Sequence, residues 1–122
     1  MLYRGFSNTI LVVDEKLMAR KTVCRNLEYY KYKVLEAADG IEALKLFRDH
    51  QSEIGLVLLD PQMAKIASED VLAQLRAADP EVRIAVITED ATGLDQEGLV
   101  GVIRKPVRTD RLLAVVRKAL EG

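Results

Sequence analysis

One cysteine in 122 residues rules out an internal disulfide, so a packed core has to hold this chain together. Cys24 has Arg25 beside it but no nearby histidine, which marks a small core residue rather than a reactive thiol. The single histidine, His50, has no second His or Cys at metal-ligand spacing and reads as a solvated helix-end residue. Charge of one sign is also missing: 18 basic residues against 19 acidic leave a net charge of -1, with no overall electrostatic footprint for nucleic acid or an anionic membrane. No apolar stretch is long enough to span a bilayer, and no secretory signal pattern is present, so a cytoplasmic location is expected. Linkers, repeats and low-complexity tracts are absent too. What remains, with 49% hydrophobic residues, is one globular domain with a core of ordinary size.

The apolar residues are arranged in short runs. Ile10, Leu11, Val12 and Val13 follow one another without polar alternation, as expected of a strand buried on both faces of a parallel sheet, and the run stops at Asp14 and Glu15. Residues 1–8 before it show no periodicity and read as an N-terminal extension, leaving 9–122 as the domain. Residues 17–30 carry Ala19, Val23, Leu27 and Tyr30 at helical spacing. A short strand at 33–37 follows, then Asp39-Gly40 and a helix with Ala43, Leu44 and Phe47 on its apolar face. Residues 54–59 form a second continuous apolar run, again ended by an acid, Asp60. Ser68, Glu69 and Asp70 open a third helix that Asp79-Pro80 stops. A fourth strand at 83–87 ends at Thr88, and a fifth at 102–104 ends at Lys105-Pro106. Between them the chain is polar and holds three glycines, so at most a short helix at 94–99 fits. Thr109 or Asp110 caps a last helix with Leu112, Leu113, Val116, Ala119 and Leu120 as its stripe. Strands alternating with helices imply right-handed crossovers and an α/β, doubly wound parallel sheet.

On such a sheet, ligands bind at the carboxyl ends of the strands. Asp14, Glu15, Asp60, Thr88 and Lys105 all fall there. Acids side by side suit a hard divalent cation, an ammonium can neutralise phosphoryl oxygens, and a hydroxyl can donate to one, so the set suits phosphoryl transfer to a carboxylate.

These residues, with Leu56-Val57-Leu58-Leu59-Asp60, Met63, Ile84-Ala85-Val86-Ile87-Thr88 and Lys105-Pro106, resemble the receiver domains of two-component response regulators over essentially the whole chain after Asn8. The resemblance implies a flavodoxin-like sheet of five parallel strands in order 2-1-3-4-5, with helices on both faces. It implies Asp60 as phosphoacceptor, Mg²⁺ held by Asp14, Glu15, Asp60 and the backbone carbonyl of Gln62, Thr88 and Lys105 on the phosphoryl group, and a cis bond before Pro106. A histidine kinase or phosphotransfer protein would be the donor, with an output partner still to be named. A metal-dependent phosphatase of similar topology would want a second acid two residues after the nucleophile, where Gln62 stands.

Several positions depart from the family pattern. Glu15 replaces an Asp, Ala64 a Pro and Ser68 a Gly. Glu89 follows Thr88 where a small residue is usual, and with Asp90 next to it could modulate access to the site through repulsion and bulk. Val102 stands where an aromatic switch residue is usual. The segment from Thr88 to Lys105 is shorter than the family norm by about five residues, more than one helical turn, so the fourth helix is expected to be shortened or absent. Val100, Val102 and the flank of the last helix around 112–116 are then expected to be partly uncovered, with a homodimer or a bound partner as the cover. A phosphorylation-independent interaction module on the same fold is the competing reading.

Overall fold

The computed structural model describes residues 8–63 and 68–121. The extension at 1–8 therefore lies outside the described residues except for Asn8, and so does Ala64. The elements run β1 (Thr9–Val13), α1 (Leu17–Tyr29), β2 (Lys33–Ala37), α2 (Gly40–Asp49), β3 (Ile54–Leu59), α3 (Ser68–Ala78), β4 (Ile84–Thr88), β5 (Gly101–Arg104) and α4 (Thr109–Glu121). All five strands are parallel, in the order β2-β1-β3-β4-β5. The architecture is the doubly wound, flavodoxin-like sheet expected from the sequence.

Strand side chains alternate between two apolar layers. Ile10, Val12, Leu56, Leu58, Ala85, Ile87 and Ile103 pack with Val23 and Leu27 of α1 and with Leu112, Val116 and Ala119 of α4. Leu11, Val13, Val57, Leu59 and Ile84 pack on the other face with Ala43 and Phe47 of α2 and Val71 and Leu75 of α3. Burial on both faces is why β1, β3 and β4 read as unbroken apolar runs. Cys24 lies in the first layer, 1% exposed, and burial with the nearby Glu36 carboxylate pushes its thiol up to about 12. A neutral, inert thiol is the result. His50 caps the end of α2, half-exposed, with Nδ1 2.7 Å from Glu53 Oε2. Among the described residues no helix is long and apolar enough to cross a membrane.

No helix forms between β4 and β5. Residues 89–100 run as turns, with Gly93 and Gly98 at φ of +75° and +78°, a left-handed backbone that glycine adopts without a Cβ clash. Even the short helix expected at 94–99 is absent. Gly101 opens β5 because Val115 presses on it: a Cβ there would sit 2.8 Å from Val115 Cγ1.

Two expectations about exposure need correcting. Val100 is 39% exposed and Val102 half-buried, as expected of an uncovered edge, but the flank of the last helix is not open: Leu112 and Val116 are fully buried and Leu113 and Val115 nearly so. The reason is the parity of β5. Ile103 faces α4 and is buried, whereas Val102 and Arg104 lie on the other face, where no helix packs on β5. Tyr30, expected on the stripe of α1, is instead its C-cap and 43% exposed.

Candidate functional site

Backbone ladders carry the site residues one step past the strand ends. The Asp14 amide donates to the Ala37 carbonyl of β2 at 3.1 Å, the Asp60 amide to Val13 of β1 at 2.9 Å, and the Lys105 amide to Thr88 of β4 at 2.9 Å. Three residues far apart in sequence are thus held by the sheet itself, with their side chains over its carboxyl edge. Rigid support of this kind is what a precise polar site needs.

Lys105 reaches back across the edge and donates from Nζ to Asp60 Oδ2 at 2.8 Å and to Asp14 Oδ2 at 3.1 Å. The two carboxylates are used alike. Asp14 Oδ1 accepts from the Lys16 amide at 2.9 Å and Asp60 Oδ1 from the Gln62 amide at 2.8 Å. Each acid therefore has one oxygen fixed by its own loop and one on the ammonium. Their side chains are only 7% and 5% exposed, and that of Lys105 12%. Burial pulls the ammonium down, but hydrogen bonds to Asp60 and Asp14 outweigh it and hold Lys105 above its ordinary value.

One ammonium between two carboxylates leaves a local charge of about -1, and carboxylate oxygens keep lone pairs beyond the bonds described. That donor set fits a hard cation such as Mg²⁺, which is commonly held through one or two carboxylates with water and substrate oxygens completing its shell. Glu15 is exposed, and among the described residues no three acids converge into a metal-binding group, so the structure assembles two of the three expected acidic ligands. Gln62 follows in the loop after β3, exposed, its amide tied to Asp60 as above.

Thr88 is fully buried, with its hydroxyl donating to the Asp90 carbonyl at 3.0 Å and accepting from the Asp90 amide at 3.3 Å. Asp90 in turn accepts from the Thr92 amide at 2.9 Å, and its bonds to Thr92 hold its carboxyl below the usual range. Glu89 is exposed and pairs with Lys16 at 3.1 Å, joining the loop after β4 to the loop after β1 across the site. Pro106 follows Lys105 through the cis bond that the resemblance implied.

Two neighbours of the site went unnoticed in the sequence. Lys16 gave no signal, since its partner Glu89 is 73 positions away. Arg20 donates to the Asp14 carbonyl at 2.9 Å and to Glu36 Oε1 at 3.0 Å, and Lys21 joins the same Glu36 at 2.8 Å, so α1 and β2 together brace the Asp14 loop. Its position on the polar side of a helix suggested only solvent.

Comparison with known proteins agrees with this layout. The family description "Response regulator receiver domain" matches residues 10–117. The chain is 34% identical over 117 residues to the response regulator MprA of Mycobacterium sp. (strain KMS), covering 91% of this chain and 50% of that protein. It thus spans about half the length of that curated relative. A receiver domain protein of Clostridium thermocellum superposes with a TM-score of 0.84 at 25% identity, over 93% of this chain and 94% of that one. CheY in the CheX-CheY-BeF3-Mg²⁺ complex of Borrelia burgdorferi is similar at a TM-score of 0.81 and 25% identity, over 90% and 87% of the two chains. With its parallel sheet, its edge carboxylates and this match over nearly its whole length, the chain belongs to the receiver-domain family of response regulators.

Proposed function

We propose that this receiver takes a phosphoryl group on Asp60 from a histidine kinase or phosphotransfer protein, in a reaction that needs Mg²⁺, and signals through a changed protein surface. Receiver domains are switches of two-component signalling rather than conventional enzymes. The observation that carries the reading is Lys105, clamped between the buried carboxylates of Asp14 and Asp60.

Asp60 is the acid best placed to be the nucleophile, since it ends the central strand β3 beside both Asp14 and Lys105. A carboxylate oxygen forms the new O–P bond as the donor's P–N bond breaks, or a P–O bond in acetyl phosphate, and the electron pair leaves with the donor. Lys105 neutralises phosphoryl oxygens as they approach. Thr88, turning its hydroxyl from the Asp90 carbonyl, donates to another. Mg²⁺, held by Asp14, Asp60 and the Gln62 carbonyl, and by Glu15 were its side chain to turn inward, would supply further neutralisation of the same oxygens. Mass spectrometry after incubation with acetyl phosphate and Mg²⁺ tests the reading. A gain of one phosphoryl group is expected in the wild type and none in Asp60→Asn; equal labelling of the variant would refute the assignment.

A second reading, an interaction module that works without phosphate, draws on Glu89 and its ion pair with Lys16 at the mouth. Both side chains are more than half exposed, so the pair itself adds little stability. Its carboxylate still opposes an incoming dianion. Glu89→Ala is expected to speed labelling by acetyl phosphate about three- to tenfold, the size of a change of roughly 1 kcal/mol in a barrier. An unchanged rate would mean that Glu89 does not guard the site. A wild type that binds Mg²⁺ without ever being labelled would favour the module.

A further inference from the structure

In the strand order β2-β1-β3-β4-β5, β3 lies between β1 and β4, so a bond from the loop after β1 to the loop after β4 spans the end of β3. Lys16 and Glu89 make that bond, at 3.1 Å, and Asp60 stands one residue past the end of β3, between the two loops. The backbone of Lys16 is tied to the site, since its amide donates to Asp14 Oδ1 at 2.9 Å. Its side chain does no capping for α1 and is directed to Glu89 instead. Both members of the pair are exposed, 57% and 59%, so the contact adds little to stability and breaks readily. A phosphoryl group on Asp60 would carry a charge of about -1.5 to -2 at neutral pH, against the single charge of Glu89. It would also sit on a carboxylate only 5% exposed, where attraction is less screened than at the rim. Exchange of Glu89 for the phosphoryl group is therefore favourable. Lys105 cannot serve the outward oxygens as well, because it is 12% exposed and held from within by Asp14 and Asp60.

We propose that Lys16 is a second phosphoryl-binding cation of this receiver, held at the mouth by Glu89 while Asp60 is free and passed to an outward phosphoryl oxygen once Asp60 is occupied. The inference rests on Asp60 as the phosphoacceptor and names a further residue of the same site. Lys16 could otherwise do no more than mask the charge of Glu89, and the two roles part when Glu89 is removed: a phosphoryl-binding cation still acts there, whereas a mask has nothing left to cover. Because the Lys16 bond to Asp14 runs through the backbone amide, substitution of the side chain leaves that bond in place.

Beryllofluoride, which seats on a carboxylate as a phosphoryl group does, reads the contact at equilibrium by fluorine NMR with Mg²⁺ in excess. Lys16→Ala is expected to weaken its binding about three- to tenfold, the effect of losing one charge contact in a partly solvated site. Lys16→Arg, which keeps the charge, should retain most of the affinity. The deciding comparison is made in Glu89→Ala, where adding Lys16→Ala should again cost about three- to tenfold. Lys45→Ala, which removes an exposed lysine of α2, controls for overall charge and should bind as the wild type does. No loss in the Glu89→Ala background, or an equal loss for Lys45→Ala, would overturn the inference and leave Asp60 as the acceptor. An equal fall in Mg²⁺ affinity measured without beryllofluoride would overturn it in favour of a disturbed Asp14 loop. A wild type that takes up neither beryllofluoride nor, from acetyl phosphate, a phosphoryl group would overturn the reading of Asp60 and this inference with it, so the two failures are told apart.

Discussion

Lys105→Ala is expected to lower stability by about 3–5 kcal/mol at neutral pH in the absence of divalent cations, the usual cost of removing one partner from a buried ion pair. Asp14 and Asp60 are both nearly inaccessible and share this one ammonium, at 3.1 and 2.8 Å. Without it two carboxylates face each other across the edge of the sheet with little water to screen them. The cost should therefore be a matter of uncompensated charge more than of lost packing. Lys105→Ala/Asp60→Asn separates the two, since it takes away one of the opposed charges, and urea unfolding should show at least half of the loss recovered. A double variant as unstable as the single one would mean that the Lys105 stem, not its charge, matters.

The same bonds set a pH dependence. Because the folded state raises the pKa of Lys105 above its ordinary value, the folded chain binds that proton more tightly than the unfolded chain does. The stabilisation is complete below the unfolded value of about 10.5 and is lost as pH climbs through the higher folded one. Stability measured from pH 9 to 11.5 should fall more steeply for the wild type than for Lys105→Ala, the difference isolating this lysine from other groups that titrate in alkali.

How far the sequence disclosed this molecule differs from element to element, for physical reasons. β1, β3 and β4 were legible because a strand buried on both faces has no polar alternation, and the acids, hydroxyl and lysine at their ends had to lie on one edge once the strands were parallel. β2 was harder, with a half-exposed pattern at Lys33–Ala37 that propensity alone barely distinguishes from loop. The missing helix before β5 was legible from three glycines and a short segment. Its consequence was not. The direction in which Val102 points depends on β-strand parity relative to the sheet, so the open surface was assigned to both sides of β5 when only one is open. Glu89 was recognised as unusual, yet its partner Lys16 comes from a different loop and only the folded edge brings them together.

That parity gives the second large effect. Val116→Glu is expected to cost 4 kcal/mol or more, enough to unfold much of a domain whose whole stability is of the order of 5–15 kcal/mol. Val116 has no exposed surface and packs in the layer formed by Ile10, Ile103, Leu112 and Ala119, where a carboxylate would find no described polar partner. Val102→Glu, only one residue along the strand from Ile103, should cost less than about 1 kcal/mol, because no helix covers β5 on the Val102 side and Val102 is half-exposed already. Arg117→Glu, exposed on α4, controls for charge reversal on that helix. Thermal unfolding of the three proteins decides the matter. A tolerated Val116→Glu that instead lowered the oligomeric state would place α4 at an interface and overturn the assignment of its stripe to the core; an unfolded Val102→Glu would mean that the face beside β5 is closed after all.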